Sequence, residues 1–326
     1  LRPSFSKGQD GTGNIADAVY LGQVHELDSI MDKAKLAEIN EAGNESIVIP
    51  IHGKGLWSTM YGYLALSKDG KTVKGLKVKT NGQYEDIECK AVIIACGGFE
   101  SNPEMRTRYM GPGWELAKVR GTPYNTGDGI SMALAIGASS FGNWSGGHAV
   151  QWDYNAPEFG DLSVGDNFQK HSYPWGILVN ATGRRFVDEG ADFRNYTYAK
   201  YGAVVLRQPG NFAWQVFDGK IVPMLRAEYR IKRVSKVSAN TIEEFAHKLE
   251  GVNPEAFLDE IKKYNAAVKK DVKFDPNIKD GRGTVGLAIN KSNWANTIEE
   301  PPFEAYQVGC GLSFTFGGVR IDPDSG

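Results

Sequence analysis

Val92-Ile93-Ile94-Ala95-Cys96-Gly97-Gly98-Phe99 is the stretch on which the reading of the fold turns. An unbroken apolar run suits a parallel strand covered on both faces, where strict alternation gives way to continuous hydrophobicity. The small residues after it would let backbone N–H groups come close to a dinucleotide at the carboxyl end of such a strand. A strand followed by Gly-Gly also reads as an ordinary turn, and both readings stand here. On the first of them, Ala95, Cys96, Gly97 and Gly98 are candidate cofactor-binding residues.

Downstream, Gly121-Thr-Pro-Tyr-Asn125-Thr126-Gly127-Asp128-Gly129 is rich in turn formers and opens a helix expected over Ile130 to Ala138, with Met132, Ala133 and Ile136 turned inward. Loop amides and a helix N-terminus can hold a polar or anionic cofactor edge, which adds Thr126, Gly127 and Asp128 to the candidates. Asp128 reads equally well as a plain N-cap.

Upstream, the apolar and aromatic density from Ser46 to Leu66 suits strands around a turn at Gly53-Lys54-Gly55. Asp69-Gly70 then marks a hairpin between Leu64–Leu66 and Val73–Val78, and a further strand alternates through Ile87 and Cys89. Before these, Leu27, Ile30, Met31, Ala34 and Ala37 give one amphipathic helix that Gly43 would end.

Past Ala138 the chain turns irregular and aromatic through Trp144, Trp152, Phe159, Phe168 and Trp175, with a strand-like Gly176-Ile177-Leu178-Val179. That shift sets a domain boundary near residue 150. Two later helices carry their own signals. Thr241-Ile-Glu-Glu244 is a capping box leading into Phe245 and Leu249, and Asn253-Pro254 opens a helix that buries Phe257, Leu258, Ile261, Tyr264 and Val268.

With 326 residues, 41% of them hydrophobic, the chain can bury a core and divides into two domains. Thirty-seven Lys and Arg face 39 Asp and Glu, a net charge of -2, which gives no chain-wide attraction to nucleic acid or anionic membrane. Cys89, Cys96 and Cys310 form no Cys-x-x-Cys pair, so neither a disulfide framework nor a thiolate metal site is expected. No apolar run reaches bilayer length and no leader-like segment opens the chain; a cytoplasmic protein acting on a small ligand is the expectation.

Taken in order, the two Gly-rich segments resemble the flavin-binding half of the fumarate reductase and succinate dehydrogenase flavoprotein superfamily. Asn180-Ala-Thr-Gly183-Arg184-Arg185-Phe186-Val187-Asp188-Glu189 resembles its Asn-x-x-Gly-x-Arg-Phe-x-x-Glu signature. The extension Gly190-Ala-Asp-Phe193-Arg194-Asn-Tyr-Thr-Tyr198 is similar to tricarballylate dehydrogenases, as are Ser292-Asn-Trp294, Pro301-Pro302-Phe303 and Phe314-Thr-Phe-Gly317-Gly318-Val319. The resemblance covers about residues 70–326. It implies FAD, a hydride passed between flavin N5 and a small di- or tricarboxylate, an electron acceptor of unknown identity, and a mixed α/β plus α+β architecture. It further implies a partial Rossmann-like FAD-binding domain over residues 1–150, a capping and substrate domain over 151–313, and a return strand over 314–326.

The same resemblance makes Arg194 the candidate catalytic arginine, one residue further along than in typical fumarate reductases. Where those enzymes carry Gln-x-His-Pro this chain has Gln151-Trp152-Asp153-Tyr154, and where they carry His-Thr-x-Gly-Gly it has Phe314-Thr315-Phe316-Gly317-Gly318. The candidate substrate-binding set is therefore His148, Asp153, Arg185, Phe314 and Thr315. His171 is a further possible replacement for a lost histidine, and Arg184 and Arg185 read alternatively as structural ion-pair partners. The lost histidines, and the absence of Glu and Arg from Lys170-His171-Ser172-Tyr173, lean the substrate toward tricarballylate rather than fumarate.

The resemblance further implies segments on either side: Leu1 is not methionine, the chain stops after a strand-like run, and Gly11-Thr-Gly13-Asn-Ile-Ala16 lacks the apolar strand that precedes a dinucleotide fingerprint. A second resemblance covers Ile47 to Leu76, which is similar to the membrane-anchored, FMN-carrying subunit of the sodium-translocating NADH:quinone reductase. The Ser-Gly-Ala-Thr type attachment motif of that family does not occur here. An FMN electron-transfer or non-catalytic module is accordingly the alternative reading.

Overall fold

A computed structural model of the protein describes residues 46–54, 59–67, 73–80 and 83–321. The expected helix around residues 27–37, the turn at 69–70 and the Gly11–Ala16 string lie outside the described residues. Two compact units emerge. The first comprises residues 1–109, 124–146 and 315–326, the second residues 110–123 and 147–314.

The first unit opens with an antiparallel meander of β1 (Ser46–Lys54), β2 (Thr59–Ser67), β3 (Val73–Thr80) and β4 (Gln83–Glu88), paired in sequence order. Leu64 lies opposite Leu76 as the Asp-Gly hairpin signal requires, with a register shift at Ala65/Leu66. β1 runs on through Gly53 and Lys54, which were expected to turn.

The run Val92–Ala95 does not form the expected buried strand. It has no regular secondary structure, and Ile93 and Ile94 are 63% and 40% exposed. A parallel strand covered on both faces needs a hydrogen-bonded neighbour on each side. Among the described residues no strand pairs with this one, so its apolar side chains are not enclosed on both faces; Ile94 instead lies against Gly129. The chain becomes buried again only at Cys96 and Phe99.

After α1 (Pro103–Met105) and a π-helical turn, α2 (Asp128–Ala135) starts two residues earlier than expected. It buries Met132 and Ala133, whereas Ile136 caps it and is 41% exposed. Phe99, Tyr109 and Trp144 stack together with centroids 4.6–5.6 Å apart, giving this unit an aromatic kernel.

The stretch expected to be irregular contains instead the 14-residue strand β6 (Ser140–Asp153). Its glycines conceal the alternation. A Cβ on Gly142 would collide with the Phe316 carbonyl oxygen, so the bare backbone is what permits close approach to the neighbouring strand.

β5 (Lys118–Val119), β7 (Ile177–Val179), β8 (Ala213–Phe217), β9 (Lys236–Ala239) and β10 (Phe303–Val319) complete a mixed sheet with order β5-β10-β8-β7, β6 and β9 also pairing with β10. The helices of the second unit are α3 (Arg194–Leu206), α4 (Ile242–Lys248) and α5 (Pro254–Ala267). Thr241 accepts the Glu244 N–H at 3.3 Å and Asn253 accepts the Ala256 N–H at 2.8 Å, as the caps require. Phe245, Phe257, Ile261 and Tyr264 then bury against Trp214, Val216, Phe303 and Ala305. Each such side chain contributes about 1.5–3 kcal/mol of transfer free energy, so this helix-on-sheet layer is the main core of the unit.

Candidate functional site

In the first unit, the Gly-rich turn after the 92–95 run is built by reciprocal hydrogen bonds. Gly127 N–H donates to Gly98 O at 3.0 Å and Ser101 N–H donates to Asn125 O at 2.9 Å, fastening residues 97–101 to residues 125–127. Gly97 holds a φ of +72°, a left-handed conformation that favours glycine. Phe99 N–H donates to Thr315 Oγ1 at 3.2 Å, bringing the end of β10 to the same place. A Cβ on Gly98 would collide with that hydroxyl and sit 2.7 Å from Glu100 Oε2.

Beside this turn lies a cleft of about 310 Å3, lined by Cys96, Gly97, Gly98, Gly129, Ala133 and Thr315 among others. The volume is at the lower end of ligand clefts, which run from roughly 300 Å3, and so has room for part of a dinucleotide. Glu100 is buried; Oε1 accepts from Asn125 Nδ2 at 2.6 Å, while Oε2 has no partner. Desolvation is the largest influence on it and raises its pKa, against the lowering contacts of Asn125, Thr315 and Arg106. The bare backbone of Gly97, Gly98 and Gly129 around this cleft fits part of a flavin dinucleotide.

The cofactor candidates separate accordingly. Cys96, Gly97 and Gly98 line the cleft. Ala95 is exposed beside it and is not among the lining residues. Thr126, Gly127 and Asp128 form the turn into α2: Thr126 Oγ1 donates to Asp128, and Gly127 caps the helix at φ +86°. Gly129 and Ala133 of the helix itself face the cleft, a role that the sequence reading missed although the helical period from Gly129 contains it.

The second unit holds a different cluster. Arg194 is the first residue of α3, and Tyr198, one turn later, lies 5.6 Å under its guanidinium. Arg194 Nη1 donates to His171 Nδ1 at 3.3 Å. His171 is buried, its Nε2 has no partner, and burial followed by the charges of Arg194, Arg120 and Arg226 lowers its pKa to about 3. The imidazole is therefore neutral at ordinary pH. His148 stacks on Phe314 at 4.9 Å, meets Tyr198 edge-on at 5.0 Å and contacts Ser313 Oγ at 2.9 Å. Arg120 shares Ser313 and pairs bidentately with Asp166.

His171, Arg194 and Arg226 line one cleft of about 100 Å3 with Trp175, Phe193 and Trp294. Arg226 carries no sequence motif and was not anticipated. Its Nε donates to Glu228 Oε1 at 2.9 Å, and the side chain is 45% exposed.

Two substrate candidates are committed elsewhere. Asp153 is fully buried, 3.3 Å from the ammonium of Lys170, and accepts the Asn155 and Ser235 N–H groups, so its carboxylate has no capacity for a substrate. Arg185 is buried against Glu189, with bonds of 3.0 and 2.6 Å, and gives two further N–H groups to the carbonyls of Ile289 and Val187. It is the structural ion-pair partner that was the alternative reading. Thr315 lies with the glycine turn of the first unit, and His148 and Phe314 form the aromatic pair of the second.

Comparison with known proteins bears on the family and the cofactor. The family described as FAD binding domain matches residues 59–325. The NADH:fumarate oxidoreductase of Klebsiella pneumoniae (strain 342) is 29% identical over 271 residues, covering 78% of this chain and 25% of that protein. A solved structure of the open conformation of a flavocytochrome c3 fumarate reductase matches the fold with a TM-score of 0.58 at 24% identity, covering 79% of this chain and 41% of that one. One component of the Na(+)-translocating NADH-quinone reductase from Pasteurella multocida (strain Pm70) is 29% identical over 144 residues, 43% of this chain and 48% of that protein. The chain thus spans less than half the length of each.

Proposed function

The chain belongs to the FAD-binding domain family, and from that premise we propose that it is a flavin-dependent oxidoreductase of the tricarballylate dehydrogenase type. On this reading hydride passes between FAD and a small di- or tricarboxylate. The supporting observation is Arg194: it carries no carboxylate partner among the described residues, and it shares a cleft with the neutral His171 and with Arg226. A cation without a carboxylate partner, beside a second one whose terminal nitrogens are not taken by Glu228, suits an anionic substrate.

FAD, when bound, supplies the hydride acceptor or donor at its N5. Cys96, Gly97 and Gly98, with Thr315 and Ala133, would hold it. Arg194 takes the catalytic role of managing the substrate proton and charge, with the Nδ1 of His171 fixing its head group. Phe314 and His148 supply the apolar wall, and residues 151–313 act as the substrate domain. This range falls within the second compact unit. Among the described residues no helix is long and apolar enough to cross a membrane.

The test is anaerobic: FAD-loaded protein is mixed in turn with tricarballylate, succinate and fumarate, and the flavin's visible absorption is followed. Bleaching by tricarballylate is the expected result. No response to any carboxylate, in either redox state of the flavin, would sink the proposal. The 144-residue match to the quinone reductase component keeps a second reading, an FMN electron-transfer module, and intact mass showing covalent FMN would support it.

A further inference from the structure

We infer that the cleft at the head of α3 is a carboxylate-binding subsite, in which the Nε2–H of His171 and the terminal nitrogens of Arg226 hold one carboxylate arm of the substrate beside Arg194. The inference rests on the carboxylate reading above and gives that reading a specific pair of anchors.

The tautomer of His171 is the first step. Arginine has donors only, so the 3.3 Å contact from Arg194 requires Nδ1 of His171 to be the acceptor. In a neutral imidazole the hydrogen then resides on Nε2. That nitrogen is buried in a residue only 3% exposed and has no partner. Buried donors without acceptors are rare in native structures, because a desolvated N–H that makes no hydrogen bond is destabilising. A ligand oxygen would satisfy it.

The rest of the cleft has the same polarity. Its lining contains two arginines and this imidazole, two prolines and three aromatic rings, and no acidic side chain. Glu228 takes the Nε of Arg226, which leaves the terminal nitrogens for another acceptor. An ionised carboxylate offers acceptors only, matching donors only. The volume of about 100 Å3 admits a carboxylate with its adjoining methylene rather than a whole polycarboxylate. Trp175, Phe193 and Trp294 lower the local dielectric, which strengthens each charge-assisted bond made there.

Isothermal titration of the full chain with tricarballylate tests this, comparing wild type with Arg226→Gln, Arg226→Lys and His171→Phe. Arg226→Gln is expected to weaken binding about ten- to a hundred-fold, the loss of one charge-assisted contact, and Arg226→Lys to recover part of it. Arg226 is half exposed, so circular dichroism of its variants should match wild type; His171→Phe gives an independent measure should they differ. Equal affinity in wild type and both Arg226→Gln and His171→Phe, no binding by wild type, or inorganic phosphate binding as tightly as tricarballylate would each overturn the subsite. If binding depends on Arg226 but the flavin never bleaches, the hydride-transfer reading fails and the subsite stands. If tricarballylate bleaches the flavin equally well in wild type and Arg226→Gln, the reverse holds.

Discussion

At the residue scale, His171 combines burial with three cationic neighbours, and its protonation is unfavourable for the same reasons that make it a neutral hydrogen-bonding group. Its pKa falls from 6.5 to about 3 through desolvation first, then through Arg194, Arg120, Arg226 and His148. A base whose folded pKa is depressed contributes stability that is complete above its unfolded pKa and is lost as the pH falls toward the folded one. The relevant window is therefore from about pH 6.5 down to about 3. The slope cannot exceed about 1.4 kcal/mol per pH unit for one group. Gln at this position keeps a donor and an acceptor but cannot titrate. Urea unfolding of His171→Gln should show a constant deficit above pH 6.5, from the lost edge-on contact with Tyr198, that shrinks as the solution is acidified. A pH-independent difference from wild type would show that His171 is not held neutral. Arg185 illustrates the opposite situation: the sequence admits both a substrate clamp and a structural ion pair, and its guanidinium lies 2.6 Å from Glu189. Removing one member of such a pair strands a buried charge, which marks it as part of the scaffold.

At the element scale, the glycine turn around residues 97–98 depends on contacts that any side chain would displace. Gly98→Ala places a methyl group against Thr315 Oγ1 and 2.7 Å from Glu100 Oε2. The Phe99 N–H to Thr315 bond would have to break, and the cleft lined by Cys96, Gly97 and Gly98 would lose its shape. Equilibrium dialysis against FAD should show affinity reduced at least about ten-fold, equivalent to roughly one lost hydrogen bond, with the capped helices α4 and α5 intact by circular dichroism. Unchanged affinity would place the cofactor elsewhere. These helices were legible in sequence because capping and amphipathic spacing are local signals. Val92–Ala95 was misread because a buried strand is defined by its neighbours, which its own apolar run cannot supply. β6 escaped notice for a related reason, since Gly142 sits where a Cβ would strike the Phe316 carbonyl of the paired strand. Arg194 and His171 could be picked from motifs and aromatic context, whereas Arg226 joins them only through tertiary folding.

At the scale of the whole molecule, the division into two compact units assigns the glycine turn to one and the arginine cleft to the other. Each has internal packing of its own: the Phe99, Tyr109 and Trp144 rings in the first, the α4 and α5 layer over β8 in the second. A ligand that binds only the native state adds RT ln(1 + [L]/Kd) to stability, about 2.7 kcal/mol at a hundredfold excess over Kd. For a local site this gain is felt by amides whose exchange needs the site to open, and not by those released through separate openings. Hydrogen exchange with and without FAD should therefore slow at residues 97–99 and 127–135, while α4 and α5 exchange at unchanged rates. Slowing confined to α4 and α5, or none anywhere, would remove FAD from the first unit. Equal slowing throughout would instead mean that the two units open as one cooperative body, so that whatever binds the glycine turn also stabilises the arginine cleft.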